Sequence, residues 1–351
     1  MDAMDDVAKD TVKLIASSRD SEGIVQDLND VLFRWSMESV NTFLLDTRLG
    51  TLDRDCDGDA MDTVTSIVGV FRCMQKLMFD IPLYKKFRTP MWRTFEKYCE
   101  KAVQCSLRIV DERLKELNEQ GAIDTDKRQC LVSYLLAAQG LSNFEISVTM
   151  MELMVGSVET ASNSLMWTLY LLCKNPMCQQ KLFNEIKEVI GNDCDEITPD
   201  MMNRLKYTKA CIKESLRLYP VTFATSRLLN EDIDVLGYHL PAGTHVQANI
   251  KSLCQDETVF PDPKSFVPER WLNVRNEDMG VANLVWGHGA RMCIGRRLAE
   301  QEMYLGLARI ISRFQVFYPN TAEPDPVLHT VMTTAKPMSM KFMERSQLEA
   351  A

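Results

Sequence analysis

Apolar residues recur at spacings of three and four through the first two thirds of the chain. Val31, Leu32, Trp35, Ser39, Phe43 and Leu44 mark one such stripe, and others run through residues 64–78, 95–117 and 131–141. This is the period of helices with one buried face. Residues 143–174 are mostly apolar, with a polar interruption at Gly156-Ser157-Val158-Glu159-Thr160-Ala161-Ser162, and predict one long helix. Pro176 ends it, residues 179–190 predict another helix stopped by Gly191, and Thr198 is the expected N-cap of a helix over 202–218 closed by Pro220. Beyond that point the pattern changes. Short runs at Arg227-Leu228-Leu229, Asp234-Val235-Leu236 and 245–248 alternate with turn residues and predict a small antiparallel sheet. An apolar helix over 298–314 then precedes extended pieces at 315–318 and 330–342, the second expected to form a hairpin edging a pocket. The expected fold class is mainly α with small antiparallel β-sheets (α+β), as a single domain over 1–351, helical over 1–220 and mixed over 221–351.

Composition narrows the function. A chain of 351 residues with 46% hydrophobic positions is ample for a sizeable core. Net charge of −9 and a pI near 5.2 argue against a general nucleic-acid or anionic-membrane surface, while leaving room for local basic patches. Eleven cysteines, an odd number without paired spacing, predict reduced thiols rather than a disulfide framework. The longest apolar stretch, 165–173, is too short to span a bilayer, and Met1 to Asp10 is acidic, so neither a transmembrane helix nor a targeting segment is expected. Asp53-Arg54-Asp55-Cys56-Asp57-Gly58-Asp59 looks like a calcium loop, but Val64 stands where its distal glutamate belongs, so it reads as a solvated turn before a helix.

One cysteine stands apart. Cys293 lies in Trp286-Gly287-His288-Gly289-Ala290-Arg291-Met292-Cys293-Ile294-Gly295, at the mouth of the 298–314 helix, where free N–H groups favour a thiolate. A buried apolar cysteine would be the plain explanation. Gly287, Gly289 and Gly295 around it are costly for packing alone, since they permit positive φ or close backbone approach. A phosphatase loop needs arginine where Ala299 stands, and a dinucleotide loop needs glycine at Met292. A thiolate ligating a metal from one side, with Arg291 to neutralise a carboxylate, suits an axial haem ligand. Glu159 and Thr160 form an acid–alcohol pair inside the long helix. The plain explanation is that Thr160 bonds back one turn and Glu159 faces another helix or solvent. Glu214 and Arg217 share one helical face, as surface pairs often do.

The segment from Trp286 to Gly295 resembles the haem-binding signature of the cytochrome P450 family, an aromatic followed by Gly-x-Arg-x-Cys-x-Gly. Trp286 replaces the usual phenylalanine. Residues 156–161 are similar to the family's central-helix motif, with Val155 and Ser157 larger than usual and Ala161 replacing a second hydroxyl. Glu214-Ser215-Leu216-Arg217 and Pro268-Glu269-Arg270-Trp271 are similar to its Glu-x-x-Arg helix and the partner motif. The resemblance implies haem b held through iron by Cys293, with Arg291 and Arg227 toward the propionates and Trp286, Gly287, Gly289 and Gly295 framing it. It also implies Glu159 and Thr160 as a proton relay, and Glu214, Arg217 and Arg270 as a buried network.

Arg296-Arg297-Leu298-Ala299-Glu300 resembles the mitochondrial branch. That implies an adrenodoxin-like ferredoxin donor docking on Lys209, Lys213, Arg296 and Arg297, and a lipophilic substrate of sterol, steroid or foreign type. A location on the matrix side of the inner membrane, with peripheral membrane association, is implied as well. Family members are longer, so the chain is expected to represent the central and C-terminal portion. The competing expectation is a non-catalytic paralogue or fragment with impaired haem binding.

Overall fold

The computed structural model describes residues 2–56, 58–119, 130–138, 140–191, 195–272 and 284–349. Twelve helices and nine short strands are present among them. The chain opens with α1 (Asp2–Ser18), β1 (Ile24–Val25) and α2 (Leu28–Leu45), the last capped by Asp27, whose side chain accepts from the Asp30 N–H. Next come α3 (Asp59–Phe79), α4 (Pro90–Glu119) and α5 (Leu131–Ala137). Gly69 is what lets α3 and α4 close up, because a Cβ there would lie 2.6 Å from the Tyr98 ring. The calcium-like segment is the turn into α3; Asp59 and Asp62 pair with Arg108 and Lys101, and Asp57 lies outside the described residues.

At the centre runs α6 (Asn143–Lys174), started by a capping box in which Ser142 and Glu145 exchange hydrogen bonds. Its two halves belong to different cores. Met150, Met154 and Val158 pack with α2 to α5, whereas residues 165–172 pack with α1, α7 (Pro176–Val189), α9 (Lys206–Leu218) and α11 (Arg296–Arg313). The polar interruption of the sequence falls where the two cores meet. Among the described residues, no helix is long and apolar enough to cross a membrane.

Two expected boundaries shift. The helix expected over 202–218 is two, α8 (Pro199–Arg204) and α9, parted at Leu205, which is fully buried. A carboxylate from α7 makes the break possible, because Glu185 accepts from Tyr207 N (2.5 Å), Thr208 N (2.8 Å) and Thr208 Oγ1 (2.9 Å) and so caps α9 from a distance. The strands β2 (Ala224–Leu228), β3 (Ile233–Val235), β4 (Tyr238–Leu240) and β5 (His245–Asn249) form two separate antiparallel ribbons, β2–β5 and β3–β4, followed by the short α10 (Ile250–Cys254).

The expected hairpin over 330–342 is also redrawn. Thr330, at φ 69°, turns β7 (Pro326–His329) into β8 (Val331–Thr334). The chain then leaves that ribbon, and β9 (Met340–Glu344) joins β1 and β6 (Phe314–Phe317) in a three-stranded sheet before α12 (Arg345–Glu349). β9 prefers that sheet because Met340 and Phe342 are fully buried there, Phe342 edge-on to Phe314.

Candidate functional site

The glycine loop folds as two single 3-10 turns, Leu284–Trp286 and Gly289–Arg291. Gly287 (φ 79°) and Gly289 (φ 73°) take the left-handed backbone that a side chain resists. The Cys293 N–H then donates to the Trp286 carbonyl at 2.8 Å, which pins the residue while its side chain stays exposed. Gly295 has an ordinary φ of −81°, and a Cβ there would meet Cys293 Sγ at an ordinary contact distance of 4.0 Å, so nothing in the backbone or the packing requires a glycine at this position. The following helix begins at Arg296, two residues earlier than its apolar pattern indicates.

Cys293 opens onto a pocket of about 270 Å³. Its walls come from α6 (Gly156, Thr160, Ala161 and Ser164), from the loop (Trp286, Gly287 and Arg291) and from apolar residues such as Leu216, Val221 and Met303. Cys293, Arg291, Trp286, Gly287 and Thr160 are therefore brought together. Arg227 stops short. Thr225, two residues earlier on the same face of β2, lines the pocket, while the exposed Arg227 guanidinium turns back to Thr225 Oγ1 (3.1 Å) and the Ser226 carbonyl (2.7 Å).

The acid and the alcohol part company. Thr160 Oγ1 donates to the carbonyls of Gly156 (2.9 Å) and Ser157 (3.1 Å), back-bonding within an unbroken helix. Its lone pairs remain for the pocket. Glu159, one residue and about 100° around the helix, lines a different cavity and accepts from Asn163 Nδ2 at 3.0 Å. Burial pushes its carboxyl up to about 7, against the pull of Asn163 and Arg72.

Glu214, Arg217 and Arg270 form a closed network. Glu214 takes both ends of the Arg217 fork (2.9 and 2.8 Å), Arg270 Nε (2.9 Å), Trp271 Nε1 (2.8 Å) and Val267 N (3.0 Å). Arg217 also donates to the carbonyls of Cys254, Pro263 and Ser265, so one buried guanidinium ties α9 to three points of the following chain. Trp271 and the backbone partners are not readable in the sequence, because nothing local marks a residue as folding back onto a distant carboxylate.

On the far side of α9, Lys209 is half-buried. Its Nζ reaches the Asn203 carbonyl (3.3 Å) and lies 5.7 Å from the Tyr304 ring centroid, and burial lowers its pKa. Lys213 neighbours it. Arg296 pairs with Glu300 (3.0 Å) and lies over Trp286, while Arg297 is exposed. Lys209, Lys213 and Arg296 thus lie in one region of α9 and α11, since Lys209 also feels Glu300, the partner of Arg296.

Sequence comparison adds a lineage to this geometry. The family model described as Cytochrome P450 matches residues 1–342. Cytochrome P450 10 of Lymnaea stagnalis is 38% identical over 347 residues, covering 97% of this chain and 63% of that protein. The mitochondrial 1,25-dihydroxyvitamin D(3) 24-hydroxylase of Mus musculus is 32% identical over 344 residues (97% and 65%). The mitochondrial cholesterol side-chain cleavage enzyme of Oncorhynchus mykiss is 29% identical over 343 residues (95% and 65%). The chain thus spans just under two thirds of the length of these relatives.

Proposed function

The chain belongs to the cytochrome P450 family, and from that premise we propose that it acts as a haem-dependent monooxygenase, placing one atom of O2 into a lipophilic substrate. The observation that carries the reading is the pocket that holds the exposed Cys293 thiol and the Thr160 hydroxyl together. Its donor set fits a haem. A single unpaired thiol faces apolar walls, an indole and a guanidinium, which suit respectively an iron, a flat macrocycle and a carboxylate. Cys293 would ligate the iron, Arg291 and a rotated Arg227 would meet the propionates, and Trp286, Gly287, Gly289 and Gly295 would frame the ring. Haem bound through a thiolate supplies activation of dioxygen.

The protein's own groups handle water and protons. Thr160 Oγ1, with its proton committed to backbone carbonyls, accepts a hydrogen bond from whatever enters the pocket. Glu159 gains and loses a proton near neutral pH on the opposite flank of α6. Glu214, Arg217 and Arg270 hold the loops behind the pocket rather than take part in chemistry. Mitochondrial names among the relatives support a sterol- or steroid-like substrate, an adrenodoxin-like ferredoxin as electron donor and a place on the matrix side of the inner membrane. Lys209, Lys213 and Arg297 offer the docking cations, with Arg296 contributing as far as Glu300 leaves it free. Reversing charge at Lys209 and Lys213 should slow ferredoxin-supported reduction and flatten its salt dependence; unchanged kinetics would remove the docking assignment.

The central test is spectroscopic. Purified protein, reduced and exposed to carbon monoxide, should show the Soret band of a thiolate-bound haem, and Cys293→Ala should abolish it. A second reading, a non-catalytic paralogue with impaired haem binding, draws on the exposure of Cys293 and the turned-back Arg227. Protein that purifies without haem and takes none up would select it.

A further inference from the structure

The opening turns of α11 carry opposite charges on one face. Arg296 and Glu300 stand four residues apart, the spacing that brings helical side chains together, and Arg296 Nε donates to Glu300 Oε1 at 3.0 Å. The pair is open to water, with 24% and 21% of the two side chains exposed. A pair so placed is weakly held and easily exchanged. Arg296 has a second hold that needs no counter-charge. Its guanidinium lies over the ring of Trp286, 5.8 Å from the centroid, and Trp286 is part of the wall of the cysteine pocket.

Glu300 reaches beyond its own pair. Burial lowers the pKa of Lys209 on α9, Glu185 and Glu300 oppose that, and Lys213 adds to it. Lys209 in turn lies over Tyr304, one turn beyond Glu300, where burial raises the phenol, Glu300 adds to the rise and Arg296 opposes it. One carboxylate therefore sits between Arg296 of α11 and Lys209 of α9, with Lys213 beside the latter. An acid in that position weakens a basic face twice over for an acidic protein. It repels the partner, and it occupies the donor that a carboxylate of the partner would use.

We propose that Glu300 is an exchangeable counter-ion: an acidic protein partner docks by setting one of its own carboxylates on Arg296 in place of Glu300, while Trp286 keeps the guanidinium in position. The inference rests on the docking face assigned above and names how that face is regulated. The pair broken and the pair formed are alike, so Arg296 adds little net affinity and much discrimination. A partner with no carboxylate at that point breaks the internal pair and gains none in return. Docking stays readily reversible, as it must for an electron donor that leaves after each transfer.

The test is a double-mutant cycle on Kd and dissociation rate, measured for the purified protein, as isolated, with an adrenodoxin-like ferredoxin at fixed low ionic strength. Glu300→Gln should bind about threefold more tightly, chiefly through slower dissociation. In an Arg296→Gln background the same change should lose most of that gain, and melting curves check that each variant is folded. Lys213→Glu reports on the docking face alone and should weaken binding with or without Glu300. A Kd unchanged or raised in Glu300→Gln, with Lys213→Glu still weakening binding, would overturn the exchange and leave the docking face standing. An equal gain with Arg296 absent would make Glu300 a general repulsive charge and overturn it too. Binding indifferent to Lys213→Glu would remove the docking face, and the exchange with it.

Discussion

Glu302 is a carboxyl shut inside the helical core. It sits on α11, nine positions beyond Cys293, only 2% exposed, with a hydrogen bond to Ser39 of α2 and no partner for Oε2. Burial raises its carboxyl to about 8, where an ordinary glutamate titrates at 4.5. Folded protein therefore holds a proton that the unfolded chain has released, and the stabilisation, complete below pH 4.5, is lost as pH climbs toward 8. Glu302→Gln keeps the shape and removes the titration. Between pH 5 and 8.5 the melting temperature of the parent should fall by several degrees relative to that of the variant; parallel curves would show that Glu302 ionises with no penalty. The sequence offers no hint of this group, since it looks like any helical surface acid in Glu300-Gln301-Glu302. Cys293 is legible because three nearby glycines have no packing purpose, and Glu214 with Arg217 because the family motif and Arg270 supply a context that the pair alone lacks.

The helices were readable wherever periodicity and capping are local. α6 begins and ends where its capping box and Pro176 place it. The α8–α9 break was not, because its cause is Glu185, about twenty residues upstream on another helix. Glu185→Ala strips three donors of their acceptor and should cost about 1–2 kcal/mol, read as a lower denaturant midpoint with unchanged slope. Glu185→Gln, which keeps one acceptor, should recover part of it. A midpoint unmoved in the alanine variant would mean that Leu205 burial alone sets the break. The misplaced hairpin has the same origin: residues 330–342 have strand character throughout, and only the burial of Met340 and Phe342 against β6 decides which partner each half takes. The same holds for the acid–alcohol pair. A one-residue step on a helix is enough to send Glu159 and Thr160 to opposite cavities, which sequence adjacency conceals.

At the scale of the molecule, α6 joins two cores, and the β2–β5 and β3–β4 ribbons stand outside both. Their strands are largely exposed, with Leu228 and Tyr238 among the large apolar side chains open to solvent. A lone two-stranded ribbon is marginal in water. The amides of α6 and α9 should therefore exchange with deuterium only on the slowest opening of the fold, and those of β2 and β5 far sooner; equal protection would mean that the ribbons share the stability of the cores. Arg227 and Arg217 turn this into a race between two cleavage sites of one protease. Trypsin needs an extended, detachable backbone as well as a basic side chain. Arg227 provides one on a strand held by a single neighbour, whereas Arg217 is fastened to Glu214 and three carbonyls. Of these two bonds, the one after Arg227 should be cut first, in the strand that carries Thr225 to the rim of the cysteine pocket, so digestion there would open the entrance to the site.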